Sequence, residues 1–287
     1  MNSNIPKVSV VMPTYRPDEA MFREAIQSIL NQTFTDFELI VCDDASPESP
    51  EAIVQSFQDP RICFYRNEKN LGIAGNTNRL WELARGEYVA NMDHDDIALP
   101  CRLEKTVAYL DAHPEVSAVG GWMEFFPKKK DVFRPVAHPR IIDLVKGDPC
   151  AHSTMLFRKA DFLSRNLRYR ELYRFAMDYD LWARAMRELR VENLQEVFLQ
   201  YRWYPENTSS QNFLLQMEER LKIRRSIIDF LTDDPYEKKI LTEMAWKHSS
   251  FAERLFSIRN EDLYKVIFLL GMKFRFRRKK YRGLKDA

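Results

Sequence analysis

Asp93-His94-Asp95-Asp96 sets two carboxylates one residue apart, and such a pair can face a hard divalent cation that also takes phosphate oxygens. The same run also suits a solvated acidic turn, because aspartate favours turns. A calcium loop is disfavoured, since the alternating oxygen ligands, central glycine and terminal glutamate of that motif are missing. A second acidic pair, Asp43-Asp44, stands before Ala45-Ser46-Pro47. Acceptors at that place can bind a base or a ribose, and they equally suit a helix-capping turn.

The elements that must position these groups follow from hydrophobic periodicity. Short apolar runs alternate with helix-period segments through the N-terminal half, which predicts an α/β fold with a mostly parallel sheet flanked by helices. Strands are expected at 7–12, 37–42, 62–66, 87–91 and 116–121, and helices at 19–31, 51–57, 76–84 and 100–112. Ligands of such sheets bind beyond the carboxyl ends of the strands. Pro13-Thr14-Tyr15, Asp43-Asp44 and the Asp93–Asp96 run all fall at those ends, so three loops are expected to converge on one crevice.

From about Trp122 the alternation gives way to aromatic, basic and proline-containing segments, with a helix expected at 177–190 and a strand at 197–203. The stretch 209–246 reads as helical with a break at Asp233-Asp234-Pro235, where proline cannot continue a helix. The expected division is a catalytic domain over 1–208, split into a nucleotide-sugar half (1–121) and an acceptor-side half (122–208), then a helical C-terminal extension over 209–287.

The 287 residues, 45% hydrophobic and 13% aromatic, are enough for a substantial core. The opening residues MNSNIPKVSV lack the pattern of a signal peptide, and no apolar run is long enough to span a bilayer, so a cytoplasmic location is expected. Cys42, Cys63, Cys101 and Cys150 show no CxxC spacing and read as isolated reduced thiols. The net charge of +2 is uneven, with Lys273, Arg275, Arg277, Arg278, Lys279, Lys280, Arg282 and Lys285 facing only Asp286 at the C-terminus. Leu263, Val266, Ile267, Leu270 and Phe274 recur at helical spacing, which predicts an interfacial helix holding the protein peripherally on an anionic membrane at its inner face. No recognisable nucleic-acid module accompanies the basic tail, so nucleic acid is not an expected partner.

Five ordered segments carry a family resemblance: VSVVMPTY (8–15), FELIVCDDAS (37–46), Asn70 and Gly72 with Asn78, ARGEYVANMDHDD (84–96) and LPCRLEK (99–105). Together they resemble the family 2 inverting glycosyltransferases with the GT-A fold, over about residues 8–205. The resemblance implies a nucleotide-sugar donor, a UDP-sugar for the typical member, and transfer to a glycan or lipid-linked precursor of a cell-surface polysaccharide. It implies Pro13, Thr14 and Tyr15 lining the nucleotide, Asp44 accepting from the base beside Asp43, and Asn78 and His94 on the same donor side. Asp93 would lie near ribose and metal, and Asp95 would ligate Mn2+ or Mg2+.

Met177-Asp178-Tyr179-Asp180-Leu181-Trp182 is similar to the family's EDYDLW segment, which implies Asp178 as the base that deprotonates the acceptor hydroxyl; Met177 replaces the family's glutamate. His152, Asp180 and Arg202 are candidates on the acceptor side. Thr77 stands where relatives often carry a basic residue, and Tyr204 where a histidine is common, leaving Arg16, Arg79 and Arg202 as candidate diphosphate contacts. A sugar nucleotidyltransferase would need a glycine-rich loop after the first strand, where PTYRPDEA has no glycine. An inactive scaffold would not need the acidic run together with Asp178.

Overall fold

The computed structural model describes residues 5–127, 131–204, 211–248, 258–261, 264–269 and 272–277. Four strands, β1 (Val8–Thr14), β2 (Phe37–Asp43), β3 (Ile62–Arg66) and β4 (Tyr88–Asn91), lie parallel in the order β3-β2-β1-β4. Their connections carry the helices α1 (Glu19–Leu30), α2 (Glu51–Gln55) and α3 (Gly72–Leu83). Strands covered on both faces read as unbroken apolar runs, and β1 and β2 are buried along almost their whole length. Asp18 caps α1 by accepting from the Met21 N–H at 3.0 Å, and Phe22, Ile26 and Ile29 of that helix enter the core against Val10, Met12, Leu39 and Val41.

Beyond β4 the sheet becomes mixed. Strand β5 (Ile97–Ala98) and helix α4 (Arg102–Ala112) are followed by β6 (Ala118–Pro127), β7 (Asp131–Phe133), α5 (Asp143–Lys146), a 3-10 turn at His152–Thr154, β8 (Leu156–Arg158), α6 (Lys159–Ser164), α7 (Met177–Ala185) and β9 (Val191–Trp203). The strand order continues β4-β8-β6-β9-β5, with β8 antiparallel to both β4 and β6. The subregion change expected after residue 121 falls inside β6, where the register with β9 shifts between Gly120 and Trp122. A Cβ at Gly120 would overlap the Met155 sulfur, so the bare backbone there lets the 3-10 turn lie directly on the sheet.

Two compact units emerge, one of residues 1–144 and 148–227, the other of 145–147 and 228–287. The first unit therefore runs past the boundary expected at 208 and takes in much of α8 (Phe213–Leu231). The reason is Glu219 of α8, whose carboxylate accepts from the backbone N–H groups of Arg174, Phe175 and Ala176 at 3.0, 2.9 and 2.9 Å just before α7.

The second unit contains α9 (Pro235–His248) and an antiparallel sheet of β10 (Ile258–Glu261), β11 (Tyr264–Leu269) and β12 (Met272–Arg277). The break expected at Asp233–Pro235 separates α8 from α9. The interfacial helix expected across 263–274 is not what the backbone forms. Met272-Lys273-Phe274-Arg275-Phe276-Arg277 alternates apolar and basic residues at a period of two, and β-branched and aromatic residues dominate 264–268; both favour strand over helix. Leu263, Leu270 and most of the basic residues named with that helix lie outside the described residues.

Candidate active site

The three strand-end loops do meet. The Asp44 N–H donates to the Thr14 carbonyl at 2.8 Å, joining the ends of β1 and β2, and His94 Nδ1 lies 3.3 Å from the Pro13 carbonyl, joining the acidic run to β1. Thr14 is buried and its hydroxyl has no partner among the described residues, Tyr15 is exposed, and the Arg16 N–H donates to Ser46 Oγ.

Asp44 is held by the loop that opens α3. Its Oδ1 accepts from Asn67 Nδ2 at 2.7 Å and from the Leu71 N–H at 2.8 Å, and its Oδ2 accepts from the Gly72 N–H at 2.9 Å. It thus caps a helix from 28 positions away, at a turn where Gly72 takes a φ of +72° that other residues rarely adopt. Asp43 accepts from the backbone and hydroxyl of Ser46 and pairs with Arg66 at 3.4 Å. Asn78 bonds both ways to the Tyr169 backbone, at 2.8 and 2.9 Å. The residue expected at the nucleotide therefore clamps a loop, and its partner lies too far along the chain for sequence spacing to reveal it.

In the acidic run, Asp93 Oδ2 accepts from Ser153 Oγ at 2.5 Å, Asp95 Oδ2 accepts from the Tyr204 hydroxyl at 2.7 Å, and Asp96 Oδ1 accepts from the Arg202 N–H at 2.8 Å. Burial, then the neighbouring charge of Asp95, raises the Asp93 pKa above the usual carboxylate range. Asp96 is raised further by burial and by the charges of Asp93 and Asp95, and its buried Oδ2 has no partner among the described residues. Behind them Arg102 is fully buried and donates to the Asn91 carbonyl at 2.6 Å; burial lowers its pKa to about 10 against the opposing pull of Asp93 and Asp96.

No cluster of three or more His, Cys, Asp or Glu side chains capable of holding an ion occurs among the described residues. Asp93 and Asp95 each have one carboxylate oxygen engaged by a hydroxyl, so a hard cation there would need further oxygens from a diphosphate. Arg202 does not stand open to such a diphosphate: Nε donates to the Asp95 carbonyl at 2.7 Å and the guanidinium pairs with Glu24.

On the other side, Asp178 lies in the first turn of α7, with Oδ1 accepting from the Tyr179 N–H at 2.7 Å. The helix N-cap is Ala176, so Asp178 is not the cap that its position alone would allow. Asp180 is buried beneath Arg170 and Arg184, which both pair with its carboxylate. It anchors the 168–176 loop and presents nothing to an acceptor, a correction to its expected place. Sequence reasoning also missed Asp148, whose pKa is raised to about 7 by burial, against the pull of Arg220 at 3.7 Å and with the nearby charge of Asp178 adding to the rise.

Burial lowers the His152 pKa below the usual histidine value, and the charges of Asp178 and Asp93 oppose that shift. Its neighbour Ser153 holds Asp93. Ser153, Arg102, Asn91 and Tyr169 belong to the site without having been singled out; Arg102 was visible only as a member of the LPCRLEK segment.

A parallel half-sheet ending in an acidic loop and continued by a mixed extension defines a GT-A fold. TarS 1–349 from S. aureus, solved in complex with UDP-GlcNAc, superposes with a TM-score of 0.69 at 20% identity, covering 84% of this chain and 72% of TarS. The mannosyltransferase PcManGT from Pyrobaculum calidifontis, solved with GDP-Man and Mn2+, gives 0.57 at 16% identity over 87% of this chain and 75% of that one.

Residues 9–180 match the family described as Glycosyl transferase family 2, and the chain belongs to that family. The putative glycosyltransferase EpsE of Bacillus subtilis is 37% identical over 213 residues, 70% of this chain and 74% of EpsE. The O-antigen biosynthesis glycosyltransferase WbnJ of Escherichia coli is 30% identical over 246 residues, 78% of this chain and 92% of WbnJ. The protein is a glycosyltransferase that uses a nucleotide-sugar donor.

Proposed function

We propose that the protein transfers a sugar, with inversion, from a UDP-sugar to a hydroxyl of a glycan or lipid-linked precursor of a cell-surface polysaccharide. The observation that carries the reading is the meeting of the strand-end loops at the acidic run, where Asp44 is tied to Thr14, His94 lies against Pro13 and Ser153 holds Asp93. The complex of TarS with UDP-GlcNAc supports a uridine donor, and the name of WbnJ supports a polysaccharide product.

Asp178 takes the proton from the acceptor hydroxyl as that oxygen attacks the anomeric carbon and the nucleoside diphosphate departs. Asp95 and Asp93 would hold Mn2+ or Mg2+, which when bound would neutralise charge on the leaving group. Pro13, Thr14 and Tyr15 line the nucleotide, and Asp44 keeps lone-pair capacity for a base N–H beside the three bonds it accepts within the chain.

No described helix is long and apolar enough to cross a membrane. Attachment to an anionic membrane surface on the cytoplasmic side rests on the C-terminal basic residues alone, each worth roughly 1 kcal/mol near such a surface. Removing 262–287 is expected to release the protein from anionic liposomes. Thermal stabilisation by a panel of nucleotide-sugars, with and without Mn2+, tests the donor assignment. Stabilisation by UDP-sugars that Mn2+ strengthens and Asp95→Ala abolishes supports it, and the same stabilisation in Asp95→Ala rejects the metal site.

A further inference from the structure

Asn91, at the end of β4, is bonded on both sides of its amide. Its Oδ1 lies 3.4 Å from Trp81 Nε1, and its Nδ2 lies 2.7 Å from the Tyr169 hydroxyl and 2.9 Å from His152 Nε2. An indole N–H can only donate, so Oδ1 must face Trp81 and the amide cannot be turned over without setting two donors against each other. Nδ2 is then a pure donor facing His152 Nε2. That nitrogen must accept, and the Tyr169 hydroxyl, 3.0 Å away, can only reinforce this by donating to it as well. In a neutral ring the single proton therefore sits on Nδ1.

His152 Nδ1 is buried and has no hydrogen-bond partner among the described residues. A buried N–H left unpaired costs about 1–3 kcal/mol, which a ligand oxygen would offset.

We infer that His152 is a neutral hydrogen-bond donor through Nδ1–H, its tautomer fixed by the Trp81–Asn91–Tyr169 relay, and that it binds an oxygen of the sugar being transferred or of the acceptor hydroxyl. His152 is thereby a substrate-orienting group and not a second base, since the ring nitrogen with a lone pair is turned away into the relay. Trp81, Asn91 and Tyr169 are positioning residues that act through it. The inference rests on the proposed transfer for its ligand but not for its tautomer, which follows from contacts within the chain.

The tautomer is read by 15N NMR of histidine-labelled full-length protein, with the His152 signals assigned by their loss in His152→Asn. Nδ1 protonated and Nε2 bare at pH 7 is the expected result, and the opposite tautomer, or a doubly protonated ring, overturns the proposal. Asn91→Asp replaces the donor facing Nε2 with an acceptor and is expected to move the proton to Nε2.

For function, an asparagine side chain can place an N–H near the position of Nδ1, and a glutamine side chain near that of Nε2. His152→Asn is expected to keep transfer within about tenfold of the parent protein, measured with UDP-GlcNAc and UDP-glucose, and His152→Gln to lose about a hundredfold. The reverse order would make the relay contact, and so a structural role, the important one. Loss of UDP-sugar affinity in His152→Gln assigns the bound oxygen to the donor, and a raised acceptor KM with unchanged donor affinity assigns it to the acceptor. Transfer equal in all three proteins overturns the substrate contact, even where the tautomer is as expected.

Discussion

The Tyr204 hydroxyl at the end of β9 donates to Asp95 Oδ2 at 2.7 Å, tying the last strand of the catalytic unit to the acidic run that follows β4. Burial and the Asp95 carboxylate raise the Tyr204 pKa, so the phenol stays protonated and donating throughout the working pH range.

Tyr204→Phe keeps the ring and removes this donor. A hydrogen bond to a charged acceptor is worth about 1.5–3 kcal/mol, so loss of Asp95 orientation is expected to lower kcat/KM by roughly tenfold or more. A Mn2+ titration of activity and a melting curve check this together. Unchanged kcat/KM at every Mn2+ concentration would show that Tyr204 does not orient the carboxylate.

Asp44→Ala removes one carboxylate that satisfies Asn67 and the N–H groups of Leu71 and Gly72. The Gly72 N–H keeps Asn70 Oδ1 at 3.1 Å and Asn67 Nδ2 keeps Asn76 Oδ1 at 3.0 Å, and the Leu71 N–H is only partly buried, so a loss of about 1–3 kcal/mol is expected by denaturant titration without ligand. Asp44→Asn keeps one acceptor oxygen and is expected to lose less. Wild-type stability in the alanine variant would mean that Asp44 serves the nucleotide alone.

Much of this was legible in the residues. The apolar runs of β1, β2 and β4 and the 3.6-residue face of α1 are local signals, and the acidic runs at the strand ends follow from them. What was not legible depends on partners distant in sequence. Asn78 reads as a donor-site residue until Tyr169 is seen on both of its polar groups, 91 positions away. Asp180 reads as an acceptor-side residue until Arg170 and Arg184 are seen to enclose it. At 264–277 two periodicities overlap, and the alternation of basic and apolar residues in β12 decided the outcome. Strands as short as β5 and β8 carry too few residues to show any period.

Asp148 gives the protein a pH signature. Its folded pKa, raised to about 7, exceeds the ordinary aspartate value, so between about pH 4 and 7 the folded state holds a proton that the unfolded chain has released. Stability from this group is accordingly present below pH 4 and lost as pH rises through 7. Three pKa units would correspond to about 4 kcal/mol, and since the side chain is 21% exposed a loss of ~1–2 kcal/mol is the expected size. Asp148→Asn should therefore melt higher than the parent at pH 8 and near the parent at pH 4. A parent protein whose stability advantage over Asp148→Asn grows with pH would reverse the sign and reject this account.

Asp178 and Asp180 sit two residues apart in α7, and their surroundings predict opposite behaviour on conversion to asparagine. Asp178 accepts one bond from the Tyr179 N–H, which an asparagine oxygen can also accept, so Asp178→Asn should preserve the helix start and the melting temperature. It cannot take a proton, and the rate should fall by about 10²- to 10⁴-fold where chemistry is limiting, with UDP-sugar affinity nearly unchanged. Asp180→Asn leaves Arg170 and Arg184 facing a neutral group in a buried position, and removing one partner of such a network costs about 3–5 kcal/mol. That variant should melt well below the parent, while the fraction that stays folded keeps the parent pH–rate profile. Single-turnover rates and melting curves on both proteins separate the two roles. A stable Asp180→Asn with a large rate loss, beside an active Asp178→Asn, would exchange the assignments and move the base to Asp180.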